Sequence, residues 1–331
     1  MKAIIHQGKE GLEGLSYQDM EEVGPAPGKV KVKLKTAGLN RRDIAVTSRH
    51  KPDQPALVLG SDGAGIIAEV GQGVTDVQVG DEVVINPGLG WKENSDAPPE
   101  GFEIMGFPDH GTFGEYVVVP SDHVESKPAH LSWEEAGVLP LAALTAYRVI
   151  FTRGKVKEGD TVLLPGIGSG VLTFALKFAK ALGARVIVTS RSEEKLDAAK
   201  ELGADRAIPT QTDWNEALKD EQVDLVVESI GRATFDKSLV AVRKGGTVVT
   251  FGATTEDEVE IDIRKFFYGQ YNLLGSTMGS AEEFKAMLSF IARHDIKPEV
   301  DRMFQLAEFK EAFEYLRDTK NFGKIGFIIE K

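Results

Sequence analysis

The segment that most constrains the fold of this chain runs from Thr161 to Arg191. A short apolar strand (Thr161–Leu164) is followed by a glycine-rich turn (Pro165–Gly170), a helix, and a second apolar strand (Val186–Thr189). This order predicts a βαβ unit whose glycines lie at the first strand-to-helix turn, where the pyrophosphate of a dinucleotide docks. Glycines allow the backbone to approach a phosphate, and the start of the helix presents N–H donors. A nucleotide-using enzyme is therefore the leading hypothesis.

Composition and charge limit the class of partner. A length of 331 residues suggests two domains, and the formal net charge is −12. Nucleic acid and anionic membranes both repel negative charge, so neither is expected as the main partner. The absence of cysteine excludes disulfides and thiolate metal sites. The N-terminal sequence MKAIIHQGKE lacks the apolar stretch of a signal peptide, and we expect a soluble, cytoplasmic protein that acts on a small molecule.

The strand and helix pattern changes near Ser132. Before this residue the sequence is rich in strand candidates: Lys2–His6, Lys29–Thr36, Gly65–Val70, Asp81–Ile85 and Gly114–Val119. Residues 89–108 are polar and contain Pro and Gly, as in a surface loop. Ser132–Glu135 has the form of a capping box, which predicts a helix over 136–150.

From residue 161 to about residue 255 strands and helices alternate. Strands are predicted at 161–164, 186–189, 206–208, 223–228 and 246–251, and helices at 170–182, 192–202, 213–219 and 234–243. This alternation predicts an α/β fold with a doubly wound parallel sheet. Two further helices, 280–294 and 306–319, and a final strand, 324–329, follow outside this rhythm.

Several ordered motifs resemble one known family along nearly the whole chain. They are AGLNRRD (37–43), LGSDGAG (59–65), VGDEVV (79–84), AALTAY (142–147), ELGAD (201–205) and NFGKIG (321–326). Together they resemble the medium-chain dehydrogenase/reductase superfamily. The resemblance implies a β-rich GroES-like catalytic domain formed by 1–125 and 265–331. It also implies a Rossmann NADP-binding domain formed by 126–264.

The departures from this family concern zinc. Zinc-dependent members hold the catalytic metal with Cys, then His-Glu, then Cys or Asp; the matching positions here are Asn40, Ser61-Asp62 and Leu141. A catalytic zinc takes three N, S or carboxylate ligands, and only Asp62 qualifies. The four thiolates of the structural zinc lobe are missing as well. The chain therefore resembles the zinc-free branch, similar to quinone oxidoreductases and enoyl reductases, and we expect no metal.

The end of the second Rossmann strand indicates which dinucleotide binds. An NAD site places Asp or Glu there for the ribose 2′-OH, whereas this chain has Ser190 followed by Arg191, with Lys195 nearby. A missing carboxylate and added donors favour a 2′-phosphate, so we predict NADP(H). The alternative is that Arg191 is a solvated surface cation. Similar quinone reductases often have Tyr where Thr210 stands, which is a departure from that pattern.

Further cofactor contacts come from the turn and from the resemblance. The glycine turn predicts phosphate contacts at Gly166, Ile167, Gly168, Ser169, Gly170 and Val171, unless its glycines serve only a tight turn. The resemblance places seven other residues along the cofactor: Ser229, Phe251, Gly252, Ala253, Thr277, Met278 and Asn321.

The resemblance also implies that the nicotinamide lies in a cleft between the domains, near Asn40 and Thr145. Without a metal, the substrate would be polarised by hydrogen bonds, from the Asn40 amide or the Thr145 hydroxyl. Asn40 has a structural alternative, because Asn before a helix is commonly a cap. Arg42, Asp62, Trp91 and Tyr268 are weaker candidates with structural alternatives.

These inferences predict a zinc-independent, NADPH-dependent oxidoreductase that reduces a quinone, an α,β-unsaturated carbonyl or a similar small electrophile. An alcohol dehydrogenase-like carbonyl reductase and a low-turnover NADPH-binding protein are the alternatives. Residues 273–278 (LLGSTM) resemble the edge strand through which family members form dimers, so we predict a homodimer.

Overall fold

The structure is a computed structural model and describes residues 1–330. Its strands are β1 (Lys2–His6), β2 (Leu15–Asp19), β3 (Lys29–Leu39), β4 (Leu57–Val58), β5 (Asp62–Val70), β6 (Glu82–Ile85), β7 (Gly88–Leu89), β8 (Glu103–Ile104), β9 (Tyr116–Pro120), β10 (Val124–Ser126), β11 (Thr161–Leu164), β12 (Arg185–Ser190), β13 (Arg206–Pro209), β14 (Val223–Glu228), β15 (Val242–Thr250), β16 (Asn272–Gly275), β17 (Val300–Gln305) and β18 (Lys324–Ile328).

The helices are interspersed among these strands. They are α1 (Arg41–Arg49), α2 (Trp133–Val138), α3 (Pro140–Tyr147), α4 (Gly170–Ala181), α5 (Glu193–Glu201), α6 (Trp214–Ala217), α7 (Phe235–Ala241), α8 (Ile263–Gly269), α9 (Ala281–Arg293) and α10 (Phe309–Arg317). Short 3-10 helices lie at Gly11–Gly14, Ser121–His123 and Leu306–Glu308, and a π-helical turn lies at Arg148–Arg153. None of the helices within residues 1–330 has the length and apolar character needed to cross a membrane.

The described chain divides into two compact units. Met1–Ala142 and residues 279–330 form the β-rich unit, and Ala143–Met278 form the βα unit. The sequence predicts the boundaries at 125/126 and 264/265, and both lie further along the chain in the structure. The reason is packing: α2 packs against β3 and β5 of the β-rich unit, while β16 is hydrogen bonded to β15 in the βα unit.

The βα unit is built on a six-stranded sheet in the order β13-β12-β11-β14-β15-β16. Every neighbouring pair is parallel. All four residues of β11 are buried, as expected of a strand covered by helices on both faces. Strands β12 and β13 lie on one side of β11, and β14, β15 and β16 lie on its other side. Ligands of such sheets bind beyond the carboxyl ends of the strands at this switch point between β11 and β14. The predicted Rossmann fold is confirmed.

The β-rich unit centres on β3, which pairs with β5, β9 and β18. Its main sheet has the order β10-β6-β5-β3-β18-β17, in which only β17 and β18 run parallel. Three phenylalanine rings form the middle of the core: Phe113 meets Phe327 and Phe313 edge to face, with centroids 5.0 and 6.2 Å apart. The predicted β-rich, GroES-like module is confirmed, and the last strand returns to it.

The predicted helix over 136–150 is divided in two. The capping box is present, because Ser132 Oγ accepts the Glu135 N–H at 3.2 Å and Glu135 Oε2 accepts the Ser132 N–H at 2.7 Å. The helix that it starts ends at Val138, and the next begins at Pro140, whose ring nitrogen has no hydrogen to donate. Helices α1 and α8 were not predicted from the sequence. Residues 89–108, predicted as a loop, contain the short strand β8.

Candidate active site

Three strands of the β-rich unit bring polar side chains together at one end of β3. β3 ends at Leu39, so that Asn40 is the N-cap residue of α1. β5 begins at Asp62, which lies opposite Gly38, and β18 begins at Lys324, one residue before the partner of Leu39. Sheet register therefore places Asn40, Asp62 and Lys324 beside one another, although they are far apart in the sequence.

These three side chains form a hydrogen-bonded cluster that we call the buried triad. Lys324 Nζ donates to Asp62 Oδ2 at 3.1 Å, to the Leu39 carbonyl oxygen at 3.2 Å, and to Asn40 Oδ1. Asn40 Nδ2 donates to Asp62 Oδ2 at 2.9 Å. The exposed fractions of Lys324, Asp62 and Asn40 are 3%, 0% and 8%. An ammonium has three hydrogens, so Lys324 is fully used by these three acceptors.

The carboxyl group of Asp62 receives a further bond, because the Leu141 N–H donates to Oδ1 at 2.7 Å. Burial raises the pKa of Asp62, while the Lys324 ammonium and the Asn40 amide act in the opposite direction. Removing one partner of a buried ion pair generally costs about 3–5 kcal/mol, because the other charge is left uncompensated. The carboxylate of Asp62 and the ammonium of Lys324 therefore stabilise each other, and removing either one leaves the other buried without a counter-charge.

A second buried carboxyl group fixes the backbone of Asn40. Asp43 Oδ2 accepts the Asn40 N–H at 2.7 Å, and burial raises the pKa of Asp43 to about 6. Arg42 Nη1 donates to Ser61 Oγ at 2.6 Å and to the Met105 carbonyl oxygen at 2.8 Å. Arg42 thus fastens α1 to the end of the 89–108 segment, a structural role.

The positions that hold the catalytic metal in zinc-dependent members have other partners here. Ser61 Oγ donates to the Met105 carbonyl oxygen at 3.0 Å, and Leu141 offers Asp62 a backbone N–H. Asp62 and Asn40 are bound to Lys324. Within residues 1–330 no group of three or more His, Asp or Glu side chains is arranged to hold a metal ion. This set of groups does not fit the three-ligand arrangement that a catalytic zinc uses.

In the βα unit, the glycine turn has the backbone conformation that glycine alone adopts readily. Gly166 and Gly168 have φ of 74° and 129°, and a Cβ on Gly166 would lie 2.5 Å from Ile230 Cδ1. The Ile167 N–H donates to the Thr189 carbonyl oxygen at 2.8 Å, which ties the turn to β12. The N–H of Ile167 is thus already used, which narrows the predicted phosphate donors to residues 168–171.

A lysine lies against this turn. A Cβ on Gly168 would be 3.0 Å from Lys195 Cδ and 3.3 Å from Lys195 Nζ, so the ammonium is beside the glycine backbone. Ser190 is 6% exposed, and its Oγ accepts the Ser192 N–H at 3.1 Å. Arg191 is exposed. The structure thus brings Lys195 to the glycine turn and leaves Arg191 in solvent at the end of β12.

The remaining predicted residues occupy both units. Asn40 and Asn321 belong to the β-rich unit, where Asn321 Nδ2 donates to the Gly323 carbonyl oxygen at 2.7 Å. Thr145 is buried on α3. The others follow the carboxyl ends of β14, β15 and β16: Ser229, Phe251, Gly252, Ala253, Thr277 and Met278.

Two further buried residues have clear roles: Glu228, which the resemblance placed along the cofactor as part of Glu228–Gly231, and Lys324, to which the sequence assigned no role. Glu228 ends β14 and accepts bonds from Ile230 N–H at 2.7 Å, Gly231 N–H at 3.2 Å and Ser238 Oγ at 2.5 Å, which shapes the turn after the strand. Lys324 is the other. A lysine at the start of an otherwise apolar strand is the available signal, because a buried ammonium needs acceptors.

Comparison with known proteins identifies the family of this chain. Residues 26–129 match the family described as "Alcohol dehydrogenase GroES-like domain", and residues 170–293 match the one described as "Zinc-binding dehydrogenase". The chain belongs to the medium-chain dehydrogenase/reductase superfamily. The family predicted from the motifs is therefore confirmed.

Two relatives illustrate the range of the superfamily. The zinc-type alcohol dehydrogenase-like protein C1773.06c of Schizosaccharomyces pombe is 36% identical, over 98% of this chain and 98% of the relative. Crotonyl-CoA reductase of Streptomyces avermitilis is 31% identical, over 86% of this chain and 70% of the relative.

Two solved structures are similar over almost all of the chain. An NAD-dependent alcohol dehydrogenase superposes with a TM-score of 0.92 at 35% identity, covering 100% of both chains. Crotonyl-CoA carboxylase/reductase AntE in complex with NADP superposes with a TM-score of 0.87 at 25% identity, covering 99% of this chain and 94% of that one. The protein is thus an oxidoreductase of a superfamily whose members bind nicotinamide cofactors.

Proposed function

We propose that this protein is a zinc-independent, NADPH-dependent oxidoreductase that reduces an α,β-unsaturated carbonyl, a quinone or a similar small electrophile. The buried triad is the observation that carries the proposal. At the positions where zinc-dependent members bind their metal, the amide of Asn40 and the carboxylate of Asp62 are already bonded to the ammonium of Lys324. A metal ligand needs a lone pair directed at the metal, and these groups direct theirs at Lys324.

The preference for NADPH is supported by the residues after β12. No carboxylate stands at Ser190 to bind a ribose 2′-OH and repel a 2′-phosphate. Arg191 is exposed next to it and is the cation that would pair with a 2′-phosphate. Lys195 lies at the glycine turn, where it adds positive charge for the pyrophosphate that both cofactors share. The first-turn N–H groups of α4, at Gly170 and Val171, provide the donors that a helix start offers to a pyrophosphate.

The proposed chemistry divides between the cofactor and the chain. NADPH, when bound, supplies the hydride. We propose that the Asn40 amide and the Thr145 hydroxyl donate hydrogen bonds to the carbonyl oxygen of the substrate, which stabilises the negative charge that develops there. The relationship to crotonyl-CoA reductase supports an activated alkene, because crotonyl-CoA is an α,β-unsaturated thioester.

A substrate panel tests this proposal. The purified protein is analysed for bound zinc, treated with a strong chelator, and assayed with NADPH and NADH against enones, quinones, aldehydes and ketones. We expect substoichiometric zinc, turnover that survives the chelator, and oxidation of NADPH by enones or quinones. One zinc per chain whose removal abolishes turnover would overturn the proposal.

An alcohol dehydrogenase-like carbonyl reductase is the second candidate. It is favoured by the similarity to the NAD-dependent alcohol dehydrogenase, which covers the whole chain. Turnover of aldehydes or ketones without turnover of enones and quinones would select it. Tight NADPH binding with no turnover across the panel would instead identify a low-turnover binding protein. A cytoplasmic location remains a prediction that fractionation of the source cells would test.

We also propose that the protein is a homodimer. β16 is the edge strand of the parallel sheet, and within residues 1–330 it pairs only with β15. Nearby in the sequence, Ile263, Phe267 and Tyr268 of α8 are 67%, 48% and 68% exposed. An open edge and exposed apolar side chains favour association with a second copy. Light scattering is expected to give twice the chain mass of 36.0 kDa, and a value equal to one chain would refute the dimer.

A further inference from the structure

The buried triad allows the side chain of Asn40 only one orientation. Its Oδ1 accepts from the Lys324 ammonium, and its Nδ2 donates to Asp62 Oδ2 at 2.9 Å. If the amide were turned over, its oxygen would face the carboxylate and its NH2 group would face the ammonium. Two attractive contacts would become two repulsive ones, because a carboxylate is only an acceptor and an ammonium is only a donor.

This orientation leaves one N–H of Asn40 for a ligand. A carboxamide nitrogen carries two hydrogens, and Asp62 is the one group of residues 1–330 that accepts a hydrogen bond from Nδ2. Asn40 also keeps 8% of its surface exposed, more than either partner in the triad. The oxygen of the amide is directed inward at Lys324, so the group offered outward is a donor.

We propose that Lys324 is a positioning residue, which holds the Asn40 amide with its N–H directed at the reacting oxygen of the substrate. The inference rests on the proposed function, in which Asn40 is the donor to the substrate. Lys324 itself is 3% exposed and is saturated by its three acceptors, so it acts through Asn40 and not on the substrate. Without the ammonium, the amide oxygen loses the donor that holds it inward, and only Asp62 still favours this orientation of the amide.

Two substitutions separate positioning from simple stabilisation. Lys324→Met removes the ammonium and leaves the carboxylate of Asp62 buried without its counter-charge, so this variant is expected to lose stability as well as activity. The double variant Lys324→Met/Asp62→Asn removes both charges and nearly preserves the shapes of the side chains. The new amide at position 62 can donate to Asn40 or accept from it, so that it favours neither orientation.

The positioning role predicts a split between stability and turnover. The double variant is expected to regain most of the melting temperature lost in the single variant and to keep its affinity for NADPH. Its kcat with an enone should remain about 100-fold below that of the unmodified protein, the usual effect of losing one such donor, with KM changed little. A double variant with the kcat of the unmodified protein would overturn the inference.

Lys31 provides a matched control. It is another buried lysine of the same unit, 6% exposed, and donates to Glu22 at 2.9 Å and Glu69 at 3.1 Å. Lys31→Met is expected to lower the melting temperature and leave kcat unchanged. An equal loss of kcat in this variant and in Lys324→Met would assign the effect to stability and overturn the inference.

A readout that does not need turnover separates this inference from the proposed function. In protein labelled with 15N-asparagine, the side-chain signals of Asn40 are identified by their loss in Asn40→Ser. We expect two distinct NH2 protons, one exchanging slowly with solvent, and faster exchange of that proton in the double variant. Identical exchange in both proteins would overturn the inference. If no substrate turns over but this difference is seen, the proposed function fails while the fixed amide stands.

Discussion

The residues after β12 predict that a substitution of Arg191 changes the preference for NADPH over NADH. This change can be measured from the binding of the two cofactors, without an assay of turnover. Arg191 is exposed at the end of this strand, in reach of solvent and without a neighbouring carboxylate at Ser190. We predict that Arg191→Ala weakens the binding of NADPH and leaves the binding of NADH within about twofold. The reason is that the two cofactors differ only in the 2′-phosphate.

The expected size of the effect follows from the exposure of the side chain. A hydrogen bond to a charged group generally contributes about 1.5–3 kcal/mol, but exposed ion pairs contribute about 0–1 kcal/mol. We expect an exposed arginine that binds a phosphate to contribute a free energy between these two ranges, about 1.4 kcal/mol, which is about a tenfold change in Kd. Because exposed charges are screened by salt, the difference should shrink as ionic strength rises.

Lys195 provides an internal comparison. Its ammonium lies beside Gly168 of the glycine turn, where the pyrophosphate common to both cofactors is proposed to bind. Lys195→Ala is therefore expected to weaken NADPH and NADH together, in contrast to Arg191→Ala. Ser190→Asp keeps an acceptor for the Ser192 N–H and adds a charge that repels a 2′-phosphate. It should reverse the preference in favour of NADH.

Fluorescence titration of the purified protein with each cofactor gives the dissociation constants. Lys219→Ala is the control. Lys219 is an exposed lysine of the same unit, lies between α6 and β14, and donates from Nζ to Glu216 Oε2 at 3.5 Å. The substitution should alter neither constant. An unmodified protein that binds NADH as tightly as NADPH, or an Arg191→Ala variant that weakens both equally, would refute the reasoning.

Three further predictions concern stability and the glycine turn. Burial raises the pKa of Asp43 to about 6, so the neutral carboxyl group stabilises the fold at low pH and this stabilisation is lost as the pH rises. Relative to Asp43→Asn, the free energy of unfolding should fall by about 2 kcal/mol between pH 4 and pH 6 in urea titrations, and equal pH dependence of the two proteins would contradict this. Phe113→Ala should lower that free energy by about 3–5 kcal/mol, because Phe113 is fully buried against Phe327; a loss below about 1 kcal/mol in the same titrations would count against it. Gly166→Ala, with φ of 74° and Ile230 at 2.5 Å, should raise Kd for both cofactors by at least about tenfold in the fluorescence titration, and an unchanged Kd would refute a phosphate role for the turn.

The parts of the fold that the sequence predicted well are those with strong local patterns. The run from Thr161 to Arg191 combines buried apolar strands with glycines at one turn, and its strands and helix lie within a residue or two of the predicted bounds. The boundaries of the two compact units lie further along the chain than the predicted domain boundaries. Residues 133–138 form a helix by their own capping signal, but which unit they join depends on packing against β3 and β5, which no local pattern records.

The candidate site was predicted only in part for a related reason. Asn40 was found through a motif, and Asp62 was noted as a weaker candidate. Lys324 was missed because its role depends on sheet register, which places it beside residues 262 and 284 positions earlier in the chain. Similarly, Lys195 lies beside Gly168 because of the way in which α5 packs. The sequence indicated only that Lys195 follows Arg191 by four residues, and it did not indicate that the ammonium reaches the glycine turn.

The position of β18 also determines when the β-rich unit can be completed during translation. This strand lies between β3 and β17, and β3 is translated almost three hundred residues before it. During translation the βα unit, which is continuous in sequence, can fold while one edge of β3 still lacks its neighbour and Asp62 still lacks its ammonium. An unpaired strand edge invites association with other chains. A ribosome that stalls after residue 320 would therefore hold a completed βα unit joined to an unfinished β-rich unit that is prone to aggregate.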